Sequence, residues 1–514
     1  MKKKVPLSRK LFSGIFYLFS SSLVTIGIKT LIIALIARKL GVENFGLYSA
    51  IISFVGLFEF LSDFGLNKTL LKFGSTNKEN ASISFGNALL VKSFLILPVL
   101  IIAGSAAYFS GYRGVDFLSL ILFTLSSVFD TYASIFSSIR RITGSFKLIS
   151  FFRIVKTVLT LIVIIIVLSK YQSVFSLAVA TLSLTMIMFL ASLINTIMLL
   201  RPRLKLSLLS EFFKDSIIFS FNDFFLNIYG RIGIVLLSFF HEMFSVGIYG
   251  AAVRFTIIAS LLPRQIRFAM LPTMYRLLEN PIDSHLSAVA SESDILEIAE
   301  EKIEGKELVS HNKAKSKLVF NILFKYMILF SVPLALSIFY FSDSIIHLIF
   351  GKKYFSSIPY VQLFSLFIFL RFIETPFTLF YLGMNKHKNL VVFQGIASLL
   401  NVILCFALIP EMAAFGAVYS TILSELVFAF IIVFAGINYK IWNLKDLTIQ
   451  IFKPFFACLI SAWFIYMFLP TSHIIFQLLS MYFLYIAFLF VVRTFDEEDK
   501  KLFKKIFTKV KAKR

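Results

Sequence analysis

Nine lysine and arginine residues lie inside stretches of sequence that are otherwise apolar enough to form lipid-spanning helices. They are Lys29, Lys68, Lys92, Arg153, Lys156, Arg231, Arg254, Lys325 and Arg371. A cation at the middle of a bilayer helix costs about 2.5 to 3.5 kcal/mol on insertion scales, so such residues usually face a bundle interior or a water-filled cavity. The sequence therefore predicts a cationic chamber within a membrane.

Four of these cations fall nearest the middle or outer half of their spans, counted at about 1.5 Å of rise per residue. They are Lys29, Arg231, Arg254 and Arg371. Arginine and lysine can replace the water around anionic oxygens with charge-assisted hydrogen bonds, so we expect these four to bind an anionic group. A buried structural ion pair is the alternative. It is strongest for Arg371, because Glu374 lies three residues further along on the same helix face.

The remaining cations lie nearer the cytoplasmic ends of their spans. Lys92, Arg153, Lys156 and Lys325 either line the mouth of the chamber or anchor their helices by extending long side chains to the headgroups. Lys68 is only a few residues from the inner end of its span, and we interpret it as such an anchor.

The acidic residues within the spans are fewer: Glu59, Asp63, Asp130, Asp223, Glu374 and Glu425. Carboxylates in transport bundles often relay protons, so any of them could couple movement of a substrate to H+ or Na+. Glu59 and Asp63 share a helix face at i,i+4, where like charges repel. The sequence does not decide the coupling ion. The two cysteines and six histidines offer no spacing typical of a metal site or a disulfide.

Composition places these residues in a polytopic membrane protein. Hydrophobic residues make up 58% of the 514 and charged residues only 15%, with a mean hydropathy of +0.87. Runs of about 20 apolar residues are twice the length of a barrel strand and long enough to cross a bilayer as helices. We therefore predict an all-α fold of about fourteen spans. They lie near 11–37, 45–71, 86–109, 117–139, 147–168, 174–200, 215–240, 244–270, 318–341, 358–382, 388–409, 413–438, 450–469 and 473–493.

The net charge of +23 indicates orientation rather than nucleic-acid binding. With a cytoplasmic amino terminus, about 36 Lys/Arg fall on inner loops against about six on outer ones, as the positive-inside rule requires. Both termini are then cytoplasmic, and the basic loops face anionic lipid headgroups. The tail, in which Leu502, Phe503, Ile506 and Phe507 lie among lysines, is typical of an amphipathic surface helix.

A weak internal repeat suggests two halves. The string "ENFGLYSAIISF" around Phe45 aligns with "MFSVGIYGAAVRF" around Val246, and both begin an even-numbered span after an outer turn. Repeats are common in secondary transporters, which bind substrate between the halves. We predict an N-terminal lobe at 1–200, a C-terminal lobe at 201–440 with a cytoplasmic linker at 276–317, and two further spans with a basic tail at 441–514. Coincidence between two short strings is the alternative.

Four strings carry a resemblance to a known family. They are "ARKLGVENFGLYS" (37–49), "LSDFGLNKTLLKF" (61–73), "IFGKKYFSSIPYVQLFSL" (349–366) and "AAFGAVYSTILSE" (413–425). Their order, spacing and placement at span ends resemble the polysaccharide biosynthesis (Wzx-type) oligosaccharide flippases. That family lies within the superfamily of multidrug, oligosaccharidyl-lipid and polysaccharide exporters.

The resemblance implies two six-helix lobes in an inverted V, followed by two extra helices. It also implies a flippase in the inner membrane that moves a polyprenyl-pyrophosphate-linked glycan, such as an O-antigen, capsule or exopolysaccharide repeat unit, by alternating access. Its partners would be that lipid-linked oligosaccharide, membrane lipids and other polysaccharide assembly proteins. The pyrophosphate would then be the anion that Lys29, Arg231, Arg254 and Arg371 bind.

Two other functions compete with this interpretation. A cation-coupled multidrug antiporter of the same superfamily would favour an acidic cavity, whereas the intramembrane bases here outnumber the acids. A membrane-bound polysaccharide polymerase or glycosyltransferase would be an enzyme, but the chain has no long outer loop, Walker loop or HExxH string. We therefore expect a transporter with no cofactor beyond a coupling H+ or Na+.

Overall fold

The computed structural model describes residues 7–74, 78–278, 305–384, 386–437, 442–468, 474–492 and 494. Within these residues the regular structure is helical throughout, which confirms the all-α prediction. The helices are α1 (Leu7–Leu57), α2 (Glu59–Asp63), α3 (Leu66–Gly74), α4 (Lys78–Phe109), α5 (Gly114–Ile142), α6 (Phe146–Lys170), α7 (Val174–Leu199), α8 (Leu209–Phe240), α9 (Met243–Ala259), α10 (Leu261–Leu278), α11 (Gly305–Tyr340), α12 (Ser342–Ile349), α13 (Ile358–Gly383), α14 (His387–Phe434), α15 (Leu444–Phe468) and α16 (Ile474–Val491).

Two of these helices cross the membrane twice. α1 bends at Gly41 (φ 77°), a left-handed conformation that glycine adopts without steric cost. α14 bends in the same way at Ala413 (φ 49°). We call the end of the bundle that carries these two bends the outer end. Ten described helices are long and apolar enough to span a bilayer, and two shorter apolar helices, Phe224–Phe240 and Ile475–Val491, supplement them. The chain is a multi-pass membrane protein, in agreement with the prediction of about fourteen spans.

The second and eighth passes are both interrupted inside the membrane. The second pass continues from α1 through α2 and ends that short helix at Phe64 (φ 45°) and Gly65 (φ 70°) before α3 begins. The eighth pass changes from α9 to α10 at Ser260. The alignment of Phe45 with Val246 brings Phe58, at the junction of α1 and α2, onto Ala259, beside the junction of α9 and α10. These two helix junctions therefore occupy corresponding positions, and the break at Phe64 and Gly65 belongs to the second pass alone. Discontinuous helices at matching positions are typical of transporter binding sites.

The two halves of the chain approach most closely where the second and eighth passes start. A Cβ built on Gly46 would lie 1.9 Å from the carbonyl oxygen of Met243, and one built on Gly247 would lie 2.1 Å from that of Val42. These contacts exchange under the alignment of Phe45 with Val246, because Val42 corresponds to Met243 and Gly46 to Gly247. The reciprocal packing closes the outer end between the halves. The lobe bounds at 200 and 440 stay a prediction.

A second joint at the outer end connects α1 to the segment after α12. The Arg38 guanidinium donates to the carbonyl oxygens of Ile349 (3.0 Å) and His347 (3.3 Å), and also to that of Leu348. In return, the Tyr354 hydroxyl donates to the carbonyl oxygens of Ala37 (3.0 Å) and Gly41 (3.3 Å). These bonds satisfy carbonyl groups at the C-terminal end of α12 and at the bend of α1, which have no partner within their own helices.

The last two helices pack on the side of the C-terminal half. The Tyr485 hydroxyl of α16 donates to the carbonyl oxygen of Leu329 in α11 at 3.0 Å. Much of their remaining surface is apolar and exposed, with Phe483 at 74% and Phe490 at 65%, as expected for a lipid-facing pair. The tail at 495–514, including Leu502, Phe503, Ile506 and Phe507, lies outside the described residues.

The predicted linker at 276–317 is only partly described. Its last residues, from Gly305, belong to α11 and continue directly into the ninth pass. Residues 279–304 lie outside the described part of the chain.

Adding a methyl group at the glycine contact should destabilise the outer closure. Gly46→Ala and Gly247→Ala each place a Cβ against backbone carbonyl groups that cannot move aside cheaply. We expect a loss of about 1–3 kcal/mol in the free energy of unfolding, as for overpacked cores, measured as a lower Tm in detergent.

Gly27→Ala is the matched control, because a Cβ at this helical glycine meets nothing within 4 Å. It should leave Tm unchanged or raise it slightly. An equal Tm for Gly46→Ala and Gly27→Ala would contradict the tight packing between the halves.

Candidate functional site: a cationic chamber between the two halves

In the N-terminal half, the structure brings Lys29 of α1 together with Arg153 and Lys156 of α6. The charged groups that act on the Lys29 ammonium are Lys156, Asp130, Arg153 and Glu59. Lys156 is ion-paired with Asp130, and Arg153 donates to the Ser22 hydroxyl at 2.8 Å. Among the described residues Lys29 has no carboxylate partner, and its side chain is exposed. This corner of the chamber therefore keeps a positive excess.

Arg231 of α8 reaches across to the broken second pass. Its guanidinium donates to Glu59 at 2.8 Å and to the carbonyl oxygen of Ile52 at 3.2 Å. The guanidinium lies directly against Gly56, where a Cβ would be 1.4 Å from Nη1, so a larger residue at this position would force the Arg231 side chain to shift. Side-chain exposures of 30% for Arg231 and 44% for Glu59 show that the pair is open on one side. It can therefore exchange partners without full desolvation.

Arg254 of α9 is the cation with the least compensation. Its Nε is buried without a hydrogen-bond partner, and the described residues contain no carboxylate within ion-pair distance of its guanidinium. The charged or ionisable groups that act on it are Tyr48 and Arg231. A small void beside it is lined by Thr30, Ile33, Phe255, Ile349 and Phe350. Burying a charge without a counter-charge costs folding free energy. This position is therefore a candidate for binding an anion.

Two further arginines on α10 extend the cationic surface beyond the break at Ser260. Arg264 and Arg267 both act on Arg371, and Arg267 also lies near Glu374. The sequence prediction missed them, because they fall near the predicted inner end of span eight. The signal that would have found them is their i,i+3 spacing in "PRQIR", which puts both on one helix face.

Arg371 of α13 lies in a compact buried network in the C-terminal half. It contacts Glu374 at 2.9 Å and Glu425 of α14 at 2.7 Å. The Tyr229 hydroxyl of α8 donates to Glu425 at 2.5 Å and to the carbonyl oxygen of Thr421 at 3.1 Å. The side chains of Glu374 and Glu425 are 6% and 1% exposed. Arg371 is thus held in an ion pair, the alternative that its spacing to Glu374 suggested, and headgroup binding by Arg371 stays a prediction.

Lys92 of α4 lies inside the N-terminal half beside the break in the second pass. Its side chain is 1% exposed, and its Nζ is 3.6 Å from Asp63 and 5.4 Å from the centre of the Tyr132 ring. Asn67 donates to the same carboxylate and to the Ser134 hydroxyl. The structure therefore places Lys92 in a buried network that holds α2, away from an open mouth.

The other predicted positions add little to the chamber. Lys325 is half-buried and has a partner of its own, and Lys68 is exposed on α3. The side chain of Asp223 lies outside the described part of the chain.

Arg140 of α5 is a further buried cation that the sequence did not reveal. It is 1% exposed and donates to the Ser192 carbonyl (3.1 Å) and hydroxyl (2.8 Å) and to the Thr196 hydroxyl (3.1 Å). It also lies 4.1 Å from the centre of the Phe152 ring. Three contacts from Nη2 to neutral oxygens and the ring face of Phe152 tie it to α6 and α7 as a structural element, although its Nε is buried without a hydrogen-bond partner.

Together these placements define a class of protein. A helical membrane bundle with interrupted passes, in which Lys29 and Arg254 have no carboxylate within ion-pair distance among the described residues, is typical of membrane transporters. Among the residues searched, no group of three His, Cys, Asp or Glu could hold a metal ion.

The comparisons with known proteins are consistent with this class. The profile of the family described as "Polysaccharide biosynthesis protein" matches residues 11–278, more than half of the chain. The chain belongs to this family, which confirms the predicted resemblance to polysaccharide biosynthesis proteins. No curated protein matches it.

Solved structures share the fold at low identity. "Lipid II flippase MurJ, inward closed conformation" matches with a TM-score of 0.73 and 15% identity, over 94% of this chain and 99% of that one. An inward-facing multidrug resistance MATE family transporter matches with a TM-score of 0.57 and 13% identity, over 83% and 98%. The MATE multidrug transporter DinF-BH matches with a TM-score of 0.58 and 15% identity, over 85% and 97%.

Removing Arg371, the cation of the buried network, should show how far the stability of the protein depends on charge balance within that network. Arg371→Met leaves Glu374 and Glu425 buried without a counter-charge, and we expect a loss of about 3–5 kcal/mol of unfolding free energy. The measurement is Tm of the purified protein in detergent.

The triple variant Arg371→Met, Glu374→Gln, Glu425→Gln removes the charges together and should recover most of that loss, because neutral replacements of buried ion pairs are often well tolerated. A triple variant as unstable as Arg371→Met alone would show that packing, rather than charge balance, holds this network.

Proposed function

We propose that this protein is a flippase that moves a polyprenyl-pyrophosphate-linked oligosaccharide across the cytoplasmic membrane by alternating access, with both termini in the cytoplasm. The glycan would be a repeat unit of O-antigen, capsule or exopolysaccharide. Membership of the polysaccharide biosynthesis family and the transporter fold support the general class. The observation that supports an anionic substrate is Arg254, a half-buried arginine with no carboxylate partner among the described residues, whose Nε is buried without a hydrogen-bond partner.

The chemistry of such a substrate fits the chamber. A pyrophosphate carries its charge on oxygens that accept bidentate hydrogen bonds from a planar guanidinium. Lys29 and Arg254 each lack a carboxylate partner in the described structure, and Arg231 can leave Glu59 at its open side. An anion that enters the chamber would form ion pairs with these cations. It would thereby remove the free-energy cost of leaving their charges uncompensated. The glycan can occupy water between the halves while the isoprenoid tail stays in lipid.

A multidrug antiporter is the competing function, because the MATE transporters share the fold. A cationic drug needs exposed, unpaired carboxylates, yet Glu374 and Glu425 are buried against Arg371. The exposed carboxylates of Glu59 and Asp130 are paired with Arg231 and Lys156. The balance of charge therefore favours an anionic substrate.

Neutralising the unpaired cations should abolish leaflet transfer. We expect Arg254→Gln and Lys29→Gln each to slow transfer of a fluorescent polyprenyl-pyrophosphate sugar in proteoliposomes by about ten- to hundredfold, the range for a lost hydrogen bond to a charged group. Arg254→Lys should lie between these variants and the native chain, because it keeps the charge without the fork geometry.

Lys170→Gln is the matched control, since Lys170 is an exposed cation at the end of α6 and should transfer at the native rate. Uptake of a cationic dye is measured in parallel. Native transfer by Arg254→Gln and Lys29→Gln together, or dye uptake in place of lipid transfer, would contradict the flippase.

We further propose that the buried network of Arg371, Glu374, Glu425 and Tyr229 couples transport to protons. The two carboxylates contact one guanidinium in an apolar interior, and the Arg267 guanidinium acts on Glu374 from a greater distance. A proton on one carboxylate would remove the negative charge that this single close contact leaves. The guanidinium already lies within ion-pair distance of both carboxylates, which leaves Na+ a poor competitor for them. Protonation of a carboxylate would loosen its hold on Arg371 and free that cation toward the chamber.

A neutral carboxylate analogue should therefore uncouple the protein from a proton gradient. In proteoliposomes, we expect a pH gradient to accelerate leaflet transfer by the native chain, and we expect Glu425→Gln to lose that acceleration while it keeps transfer without a gradient. Imposed Na+ gradients should have no effect on either protein. Acceleration of the native chain by Na+ alone would overturn proton coupling.

A further inference from the structure

A second cationic cavity lies at the outer end, away from the central chamber. It has a volume of about 450 Å³ and lies between Ala37 and Arg38 of α1 and the segment His347–Tyr354 that follows and includes the end of α12. Four of its lining residues are basic: Arg38, His347, Lys352 and Lys353. No acidic residue lines it, and the described residues place no carboxylate within ion-pair distance of Arg38, Lys352 or Lys353.

This concentration of charge is unusual for its location. Under the predicted topology, six Lys/Arg lie on outer loops: Arg38, Lys39, Arg113, Lys170, Lys352 and Lys353. Four of the six belong to the two segments that form this cavity. Outer loops are otherwise depleted of Lys and Arg. Because like charges repel one another, a cluster of cations on the outer side favours binding of an anion more than scattered cations do.

The packing of the cavity wall prepares it for an anion. The C-terminal end of a helix carries a partial negative charge that repels anions, and α12 ends at this cavity. Arg38 donates to three carbonyl groups of that terminus and so masks the negative end. Lys352 and Lys353 remain exposed and available.

The surroundings favour a lipid over a free ion. Leu348 lines the same cavity and is 75% exposed. Phe355, which follows the cavity segment His347–Tyr354 in the chain, is 42% exposed. An amphiphile can thus place its phosphate against the lysines and its acyl or prenyl chain along this apolar surface. Basic residues next to apolar surface at a bilayer boundary attract anionic headgroups.

We propose that this outer cavity binds a phosphate-bearing lipid headgroup, as a second site separate from the central chamber. The ligand is either an anionic phospholipid of the outer leaflet or the polyprenyl pyrophosphate after its release. The proposal rests on the orientation given under the proposed function, and it assigns to the "IFGKKYF" string a role in lipid binding.

The experiment uses native mass spectrometry of the full chain titrated in detergent with phosphatidylglycerol in one arm and with a polyprenyl pyrophosphate in the other. The background variant is Arg254→Gln, which removes a cation of the central site. In this background, we expect the double variant Lys352→Gln, Lys353→Gln to weaken binding of at least one of these lipids about tenfold. The reason is the loss of the attraction between two surface lysines and the lipid phosphate. Lys352→Arg with Lys353→Arg should retain binding, and Lys170→Gln is the matched control on the same side.

A loss in the phosphatidylglycerol arm alone identifies a phospholipid, and a loss in the pyrophosphate arm alone identifies the exported lipid. Unchanged binding of both lipids in the double Gln variant would overturn the outer site. So would membrane-impermeant thiol labelling of Lys353→Cys from the cytoplasmic side only. Native leaflet transfer by Arg254→Gln would instead refute the central site, while the lipid titration of Lys352 and Lys353 would stand.

Discussion

An ionised side chain inside an apolar bundle needs a counter-charge, water or a ligand beside it, and this requirement organises the whole protein. Arg371 meets it with Glu374 and Glu425, and Lys92 meets it with Asp63. Arg254 meets it with none of the described side chains, and its Nε has no hydrogen-bond partner. The difference separates ion-paired cations from those without a counter-charge. Under the proposed function, the latter bind the anionic headgroup as it passes between the halves.

The break in the second pass shows how the chain distributes its charges. Glu59 and Asp63 lie one turn apart and would repel each other on a continuous helix. In the structure each has its own cation, because Glu59 pairs with Arg231 of the C-terminal half and Asp63 with Lys92 of the N-terminal half. The left-handed Phe64 and Gly65 end α2 directly after Asp63. One short helix thus joins a fixed network inside its own half to an open, exchangeable contact with the other half.

The spans and their order could be predicted from the sequence, because twenty apolar residues are a local signal. The partner of each cation could not, since Glu59 and Arg231 meet only after helices far apart in the chain have packed and rotated. Arg264 and Arg267 were missed because hydropathy assigns the inner end of a span to the headgroups. Arg140 was missed because its partners, Ser192 and Thr196, are neutral. Spacing along one helix did anticipate the pair of Arg371 and Glu374.

Among the described residues, no ion pair crosses the centre of the outer closure between the halves. Gly46 and Gly247 meet carbonyl groups of the opposite half, and Gly250 lies against Ser49. Close packing therefore supplies the attraction at this contact. Such a contact can form and separate without the cost of breaking a buried ion pair. Under the proposed function, the opposing force comes from Lys29 and Arg254, which have no carboxylate partner among the described residues, and from Arg231 once it leaves Glu59. These like charges repel each other when the chamber is empty. An anion bound among them would cancel that repulsion and stabilise a conformation in which the cations lie closer together. A ligand shifts a conformational equilibrium only through such a difference in binding energy between the two states. The unpaired cations would then both select the substrate and couple its presence to movement of the halves.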